Sequence, residues 1–243
     1  MNTPHATGAK PDVVTAEEWA QARSELLAAE KAVTRAEDAV AAQRRRLPMG
    51  RFRSDCTFAA PSGALSLRDL FAEHNELLVY QFMDTGPKHV CPGCTWVTDN
   101  IPVHALARLA QAGVSWVTVS DMPLEQMRRV WEQHGWMGVP FASSRGTTFS
   151  ADCGAGDGFQ LSVFLRDGDD VYRTYTTAQR GVDRLILANT MRDLLPYGRQ
   201  EDWEDSPPGW PQHPTIFHIH TPTNDAEPGA AANRGRMFAF WDS

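Results

Sequence analysis

The sequence predicts an α/β protein in which a long N-terminal helix precedes a sheet with parallel strands. The segments "LLVYQFM" (77–83) and "VSWVTVS" (114–120) are continuous apolar runs with the length and composition of buried strands. A segment that is helical in its later part lies between them and ends at Gly113. Because strand, helix and strand follow one another, we expect a right-handed crossover and parallel pairing.

The N-terminal segment from Thr15 to Leu47 has the start and stop signals of one long helix. Thr15 and Glu18 form a capping box, and Pro48 ends the helix. Apolar residues recur at every seventh position and form one thin stripe along a helix of roughly 50 Å. We therefore expect either a homodimer in which this helix contributes contact area, or a helix that lies along the outside of its own domain. The stripe consists of Trp19, Leu26, Val33 and Val40.

The second half of the chain continues the α/β pattern. Asp121 and Pro123 open an amphipathic helix, "PLEQMRRVWEQHG". The segments "FQLSVFL" and "VYRTYTT" flank the turn sequence "RDGDD" and predict a β-hairpin, and "VDRLILANTMRDLL" predicts a final helix. The sequence beyond it is irregular and rich in proline, tryptophan and acidic residues. We expect an N-terminal helical extension (1–50), one α/β domain (51–200) and an irregular C-terminal tail (201–243).

Composition and charge argue against several classes of protein. The 243 residues are 42% hydrophobic and 22% charged, which is typical of a globular chain. A net charge of −7 gives no positive field that would attract nucleic acid or an anionic membrane. The sequence has no run of about 18 apolar residues and no apolar leader-like region at its start. We therefore expect a cytoplasmic protein without nucleic-acid or membrane partners.

The sequence "HVCPGCTW" (89–96) carries the clearest chemical signal. Cys91 follows the first predicted strand, where the N-terminus of a helix would stabilise a thiolate. Pro92 and Gly93 suit a first helical turn that presents the Cys91 sulfur to a substrate and keeps the Cys94 sulfur behind it. Three hypotheses remain open at this point: a redox dithiol, half of a metal site, and a pair of inert thiols.

A histidine pair near the end of the sequence offers a second candidate site. In "FHIHTP", His218 and His220 lie two residues apart, so on a strand both imidazoles would face the same side. Such a pair can bind copper or zinc when a third ligand is supplied. The cysteine pair could join a metal site only if His89, Cys56 or Cys153 converged on it, since no second ligand pair at zinc spacing is present. The leading hypothesis needs no metal or other cofactor.

A set of short segments in a fixed order extends over residues 13–203. It begins with "EEWAQARSELLAAEKAVTRAEDAVAAQRRRLP" and continues with "LSLRDLF", "LLVYQFM" and "CPGC". It ends with "PFASS", "TTFSAD", "LSVFLRDG", "TYTTAQRGVD" and "PYGRQED". In this set the chain resembles the DUF899 family of predicted dithiol-disulfide oxidoreductases. The resemblance implies a thioredoxin-like fold with an N-terminal helical extension.

The resemblance also implies roles for individual residues. It places the dithiol on Cys91 and Cys94, and an arginine-glycine motif on Arg180 and Gly181. Apart from the resemblance, two roles are open for Arg180, which precedes Gly181: it holds an anion or a peroxide near the thiolate, or it is a surface or capping arginine. Trp96, two residues beyond the dithiol, would pack over it or lie in the core.

The chain departs from the family pattern in three places. It reads "QFMD" where relatives tend to read "HFMF", and Cys153 stands where an aromatic residue is usual. The loop before Phe159 lacks the proline that thioredoxins hold in cis beside the dithiol, and Pro140 precedes a different segment. Pro140 remains a candidate substrate-binding residue, together with Pro92 and Gly93.

The leading hypothesis is a thiol-disulfide oxidoreductase, or a thiol-dependent reductase, with a CPGC dithiol. Cys91 would attack a disulfide or a peroxide, Cys94 would resolve the mixed intermediate, and an unidentified thiol would supply electrons. One alternative is a copper- or zinc-binding protein that uses His218 and His220, with or without cysteines. The other is a dimeric thioredoxin-like scaffold without redox activity.

Overall fold

The structure of the protein is a computed structural model that describes residues 9–52 and 55–213. Two 3₁₀ segments cover Asp69–Phe71 and Gln179–Leu185. The helices are α1 (Ala16–Arg44), α2 (Pro92–Asp99), α3 (Val103–Gln111), α4 (Leu124–His134), α5 (Phe149–Cys153) and α6 (Leu187–Arg192). The strands are β1 (Gly50–Phe52), β2 (Thr57–Ala60), β3 (Gly63–Ser66), β4 (Glu76–Phe82), β5 (Val114–Ser120), β6 (Phe141–Ser143), β7 (Gln160–Asp167) and β8 (Asp170–Thr177).

The strands form one mixed sheet of eight strands. Its order is β1-β8-β7-β4-β5-β6-β2-β3, and β4, β5 and β6 run parallel to one another. β7 runs antiparallel to β4 and forms the predicted hairpin with β8. A crossover from β4 to β5, followed by a hairpin on the other side of β4, is the arrangement of a thioredoxin-like fold. The fold class expected from the sequence is confirmed.

The burial of β4 explains why its sequence is an unbroken apolar run. Leu77 and Val79 lie in a core on one side of the sheet, whereas Tyr80 and Phe82 lie in a core on the other side. A strand that is buried on both faces loses the alternation of a half-exposed strand. β5 is also buried on both sides, with Trp116 in the same core as Tyr80.

The two cores have different chemical content. The core on the side of α2 and α4 contains Cys91 and Cys94, and we call it the dithiol core. The core on the side of α5 contains Cys56 and Cys153, and we call it the opposite core. The sheet therefore separates the two pairs of cysteines. The predicted apolar face of α4 packs into the dithiol core through Met127, Val130 and Trp131.

The last predicted helix is interrupted in the structure. Instead of one helix over 182–195, the chain forms a 3₁₀ segment that ends at Leu185 and then the short helix α6. Ile186 lies between them with φ −102° and ψ 86°, outside the helical region. The Asn100 side chain accepts a hydrogen bond from the Ala188 N–H at 2.9 Å, so a residue that is distant in sequence caps α6. The prediction of a continuous helix is wrong for this reason.

The segment after α6 is tied to the domain by a buried arginine. The Arg199 side chain donates hydrogen bonds to the carboxylates of Asp193 at 2.7 Å and Asp183 at 2.9 Å. The Arg199 N–H donates to Glu204 at 3.1 Å. Only 10% of the Arg199 side chain is exposed, so these charge-assisted bonds are shielded from water. The "PYGRQED" segment therefore fastens the start of the irregular C-terminal stretch to the domain.

Helix α1 stands apart from both cores. It begins with the predicted capping box, because Thr15 and Glu18 each accept a hydrogen bond from the backbone N–H of the other. Its 29 residues include none that is buried, and the stripe residue Trp19 is 62% exposed. The apolar stripe predicted from the sequence is thus present, and within residues 9–52 and 55–213 it is exposed.

The described contacts of α1 with the domain involve charged surface residues. Arg44 lies over the Tyr175 ring at 5.2 Å, and Glu37 pairs with Arg184 at 3.8 Å. Exposed pairs of this kind contribute little stability. An uncovered apolar stripe indicates an interaction surface, and the stripe of a second copy matches it in length and character. We propose that α1 pairs with α1 of a second copy of this chain.

The first prediction concerns this pairing. Trp19→Asp places a carboxylate in the stripe, so burying the stripe between two helices becomes unfavourable. We expect the mass in light scattering to fall from that of a dimer to that of a monomer. Ser24→Asp adds the same charge to the opposite face of the helix and should leave the mass unchanged. A monomeric wild-type protein, or a Trp19→Asp variant that remains dimeric, would contradict the proposal.

Candidate active site

The junction between β4 and α2 positions the cysteine pair. β4 ends at Phe82, and the chain passes through a loop (83–90) to Cys91, which is the N-cap of α2. Pro92 occupies the first helical turn, where its missing N–H costs no intrahelical hydrogen bond. The carboxyl end of a central strand and the N-terminus of a helix therefore meet at the dithiol, which is where α/β proteins place their sites.

The Cys91 sulfur caps the helix with its own side chain. It accepts a hydrogen bond from the Cys94 N–H at 3.2 Å, and its thiol donates to the Met83 sulfur at 3.6 Å. Cys91 is 7% exposed, whereas Cys94 is fully buried and receives the Met83 N–H at 3.5 Å. Both residues are thiols, and Cys91 is the one nearer to solvent.

The surroundings of the two sulfurs separate their acidities. The Cys94 thiol lowers the pKa of Cys91 by hydrogen bonding; burial opposes this, and the N–H groups of Cys94 and Gly93 add to the lowering. Burial raises the pKa of Cys94 well above that of a free thiol, and the neighbouring Cys91 raises it further. Cys91 is therefore the thiol that ionises first, while Cys94 keeps its proton.

A tyrosine under the cysteine pair belongs to the same site. Tyr80 is buried in the dithiol core, and both burial and the nearby Cys94 raise the pKa of its phenol well above 10. Tyr80 does not stand out in the sequence, because tyrosine is common in strands and "LLVYQFM" has the pattern of a buried strand. The available signal was a single hydroxyl in an apolar strand that leads directly to a CxxC pair.

The other residues expected near the dithiol divide into two groups. Pro92 is exposed beside the pair, and a Cβ on Gly93 would meet no atom within 4 Å, so the space above Gly93 is open. Trp96 packs against the dithiol core. Pro140 precedes β6, where its carbonyl accepts the Thr118 N–H, and β5 separates β6 from β4. The structure brings the first three residues to the dithiol and does not bring Pro140 there.

Arg180 is engaged by the C-terminal stretch. Its guanidinium lies 3.8 Å from the centre of the Trp203 ring and 3.6 Å from a carboxylate oxygen of Asp183. The groups that shift the pKa of Cys91 are the neighbouring thiol and backbone N–H groups, and no guanidinium acts on it in the described part of the chain. The described contacts of the Arg180 guanidinium are thus with Trp203 and Asp183, and a place for it beside the thiolate stays a prediction.

The loop before β7 supplies an aromatic residue at the edge of the dithiol core. Phe159 is partly buried and packs against this core. Residues 9–52 and 55–213 contain no cis peptide bond. This loop thus contributes an aromatic side chain to the dithiol core and contains no cis peptide bond.

The remaining cysteines lie away from the dithiol. Cys56 lines an open polar cleft of about 360 Å³, together with Asp55, Thr57 and residues 145–148, and it belongs to the opposite core. Burial raises the pKa of Cys153 to about 12, so this thiol keeps its proton at neutral pH. Because the sheet lies between the cores, neither cysteine converges on the CxxC pair.

The described residues contain no group of three histidine, cysteine or acidic side chains that could hold a metal ion. His89 is exposed, and its carbonyl accepts a hydrogen bond from Thr85. The histidine pair His218 and His220 lies outside the described residues. Within residues 9–52 and 55–213, no helix is long and apolar enough to cross a membrane.

Comparison with known families assigns the chain. The model of a family described as bacterial protein of unknown function (DUF899) matches residues 8–217. The chain belongs to the DUF899 family. The resemblance noted in the sequence is thereby confirmed, and no curated protein matches this DUF899 chain.

Several solved structures are similar to this DUF899 chain. Peroxiredoxin Q from Xanthomonas campestris is 20% identical, with a TM-score of 0.39 over 58% of this chain and 94% of its own. Reduced Prx3 from Vibrio vulnificus, in complex with hydrogen peroxide, is 16% identical, with a TM-score of 0.39 over 54% of this chain and 88% of its own. A secreted Mycobacterium tuberculosis disulfide oxidoreductase homologous to E. coli DsbE is 14% identical, with a TM-score of 0.35 over 54% of this chain and 94% of its own.

The glycine of the arginine-glycine motif gives a prediction about stability. A Cβ on Gly181 would lie 1.9 Å from Thr177 Oγ1, so Gly181→Ala displaces either the Thr177 side chain or the 3₁₀ segment. We expect the free energy of unfolding in urea to fall by about 1 to 3 kcal/mol, as for overpacked sites. Gly93→Ala is the matched control, because its Cβ would meet no atom within 4 Å and alanine favours a helix. Equal stability of the two variants would show that Thr177 yields without cost.

The acidity of Cys91 gives a second prediction. Cys94→Ala removes the side-chain hydrogen bond that most lowers the pKa of Cys91, while the backbone N–H at position 94 remains. Since only the thiolate is alkylated, the rise of the alkylation rate of Cys91 with pH should move to higher pH. Iodoacetamide labelling followed by mass spectrometry measures this profile. Cys153→Ala, in the opposite core, should leave the profile unchanged; a Cys94→Ala profile that stays in place would contradict the assignment.

Proposed function

We propose that this DUF899 protein is a thiol-disulfide oxidoreductase in which Cys91 is the nucleophile and Cys94 is the resolving thiol. The observation that carries the proposal is the asymmetry of the pair. The Cys91 sulfur caps α2 and accepts the Cys94 N–H at 3.2 Å, whereas the Cys94 sulfur is fully buried behind it. One thiol is thus prepared to ionise and the other is protected from solvent.

The proposed reaction proceeds in two exchanges. The Cys91 thiolate attacks one sulfur of a substrate disulfide, forms a Cys91–substrate disulfide and releases the other half of the substrate as a thiolate. Cys94 then attacks the Cys91 sulfur, so the Cys91–Cys94 bond forms and the second half of the substrate leaves. The two protons of the dithiol end on the two released thiols, and two electrons pass to the substrate. An external thiol reductant returns the pair to the dithiol.

The lowered pKa of Cys91 accounts for only a small part of such an activity. Each unit by which the pKa falls increases the thiolate fraction at neutral pH about tenfold. The intrinsic nucleophilicity falls about threefold per unit, because the Brønsted coefficient is near 0.45. The larger contribution comes from Cys94, since a neighbouring thiol makes the second exchange intramolecular.

The substrate class that the site favours is a disulfide rather than an anion or a metal ion. The surface above Gly93 is open, and the guanidinium of Arg180 is engaged by Trp203 and Asp183. No cation among the described residues acts on the Cys91 sulfur. A disulfide is neutral at its reacting atoms and needs no such cation. The proposed location is the cytoplasm, where thiol reductants keep a dithiol of this kind reduced.

The cysteine variants test the proposal. Cys91→Ser should abolish exchange with a small aromatic disulfide, because it removes the nucleophile. Cys94→Ser should still react but stop at a mixed disulfide on Cys91, because resolution is lost. Mass spectrometry after mild oxidation should show a loss of two protons in the wild type and an adduct on Cys91 in Cys94→Ser.

The controls use the cysteines that the mechanism omits. Cys56→Ser and Cys153→Ser should keep the rate of the wild type, provided that circular dichroism shows them to be folded. Native thiols that stay reduced in excess oxidised glutathione and dithiodipyridine would refute the redox function, as would a metal ion bound to Cys91 and Cys94 in freshly purified protein.

A further inference from the structure

The Tyr80 hydroxyl is a buried polar group without a hydrogen-bond partner in the described structure. Tyr80 is 1% exposed, and its oxygen has no contact with solvent. Its ring is held in the dithiol core, where it stacks with Trp116 at 6.4 Å between ring centres. A buried hydroxyl that makes no hydrogen bond lowers stability relative to an apolar side chain of the same shape. Phenylalanine would fill this place without that cost, so the hydroxyl needs another explanation.

The polar groups that this hydroxyl faces are the sulfurs of the dithiol. Tyr80 and Phe82 are on the face of β4 that packs against α2, and they share the dithiol core with Cys91 and Cys94. At the end of the same strand, the Met83 N–H contacts the Cys94 sulfur at 3.5 Å. The Tyr80 hydroxyl has no hydrogen bond of ordinary geometry among the described residues, yet it is close enough to the Cys94 sulfur to lower the pKa of Cys94.

Cys94 is the group that needs a donor. Its sulfur is fully buried, so water cannot solvate the thiolate that must form before Cys94 attacks Cys91. Burial raises the pKa of Cys94, and the two contacts that oppose this rise are the Met83 N–H and the Tyr80 hydroxyl. Because a hydrogen bond to a charged sulfur is stronger than one to a neutral thiol, a phenol in this position stabilises the charged transition state more than the resting thiol.

We propose that Tyr80 is a catalytic residue that donates a hydrogen bond to the Cys94 sulfur while the Cys91–Cys94 disulfide forms or breaks. The inference rests on the proposed function, since it assigns a role in the second exchange of that reaction. During this exchange the Cys94 proton is lost to solvent, the Cys94 sulfur bonds to Cys91, and the bond between Cys91 and the substrate breaks. The departing thiolate takes up a proton, and Tyr80 keeps its own.

Tyr80 acts as a donor and not as a base. Burial raises the pKa of its phenol well above 10, and the nearby Cys94 and Cys91 raise it further, so the phenolate is not available at neutral pH. In the reverse direction, when an external thiol attacks Cys91, Cys94 leaves as a thiolate and accepts the same hydrogen bond. Tyr80 therefore accelerates both directions of one step.

The test separates the two exchanges in a single reaction. Dithiodipyridine releases a first thiopyridone when Cys91 attacks, and the rate of this phase depends on the reagent concentration. It releases a second thiopyridone when Cys94 resolves the adduct, and the rate of this phase is independent of the reagent concentration. Tyr80→Phe removes only the hydroxyl. We expect the first phase to be unchanged and the second to slow by about tenfold or more, as for loss of a hydrogen bond to a charged group.

Two further measurements exclude a structural explanation. The midpoint of urea unfolding of Tyr80→Phe should equal or exceed that of the wild type, because an unpaired hydroxyl is removed. The reduction potential of the pair at neutral pH should be unchanged, because both directions slow equally. Tyr172→Phe is the matched control: it loses a hydroxyl near Asp170 on β8, outside the dithiol site, and should keep both phases.

Each outcome decides between the two proposals. A second phase as fast in Tyr80→Phe as in the wild type overturns the role of Tyr80 and leaves the redox function intact. Equal slowing of both phases, or reduced stability, shows general distortion and also overturns it. A wild type that releases no second thiopyridone refutes the proposed function, and the role of Tyr80 is refuted with it.

Discussion

The proposed chemistry of this protein depends on the contacts between Cys91 and Cys94, among them the hydrogen bond from the Cys94 N–H to the Cys91 sulfur. This hydrogen bond exists because Cys91 is the N-cap of α2, so its side chain lies over the unpaired N–H groups of the first helical turn. The position of this first helical turn is set by the central strand β4, because a single loop connects the end of β4 to Cys91. A helix that began one residue earlier or later would leave the Cys91 thiol without this contact.

Burial gives the two sulfurs opposite properties. Cys91 lies at the edge of the dithiol core and receives hydrogen bonds, so its ionised form is favoured. Cys94 lies inside the same core, where an ion is unfavourable. A resolving thiol of this kind is protected from unwanted oxidants, but it reacts slowly unless a donor assists it. Tyr80, in β4, and Met83, in the loop that leads to the dithiol, are in a position to donate a hydrogen bond to the Cys94 sulfur.

Much of the remaining family-like sequence holds the periphery of the domain together. Gly181 lets the 3₁₀ segment pack closely against Thr177, and Arg199 joins this segment to the C-terminal stretch through carboxylates. Arg180 and its partner Trp203 extend the same network. The 3₁₀ segment also supplies Val182 to the dithiol core, so the network is continuous with the core that holds the two cysteines.

The sequence by itself determined the elements that have a long periodic pattern: α1 with its capping box, the buried strands β4 and β5, and the dithiol between them. Tertiary structure decided the features that depend on residues far apart in the chain. Asn100, which is distant in sequence, caps α6. The short strands β1 and β2 form only because the sheet offers them a neighbouring strand. Pro140 lies next to a strand that is two positions from β4 in the sheet. The proximity of Tyr80 to Cys94 belongs to this second group, because only the packing of α2 on β4 brings a core tyrosine under a buried sulfur.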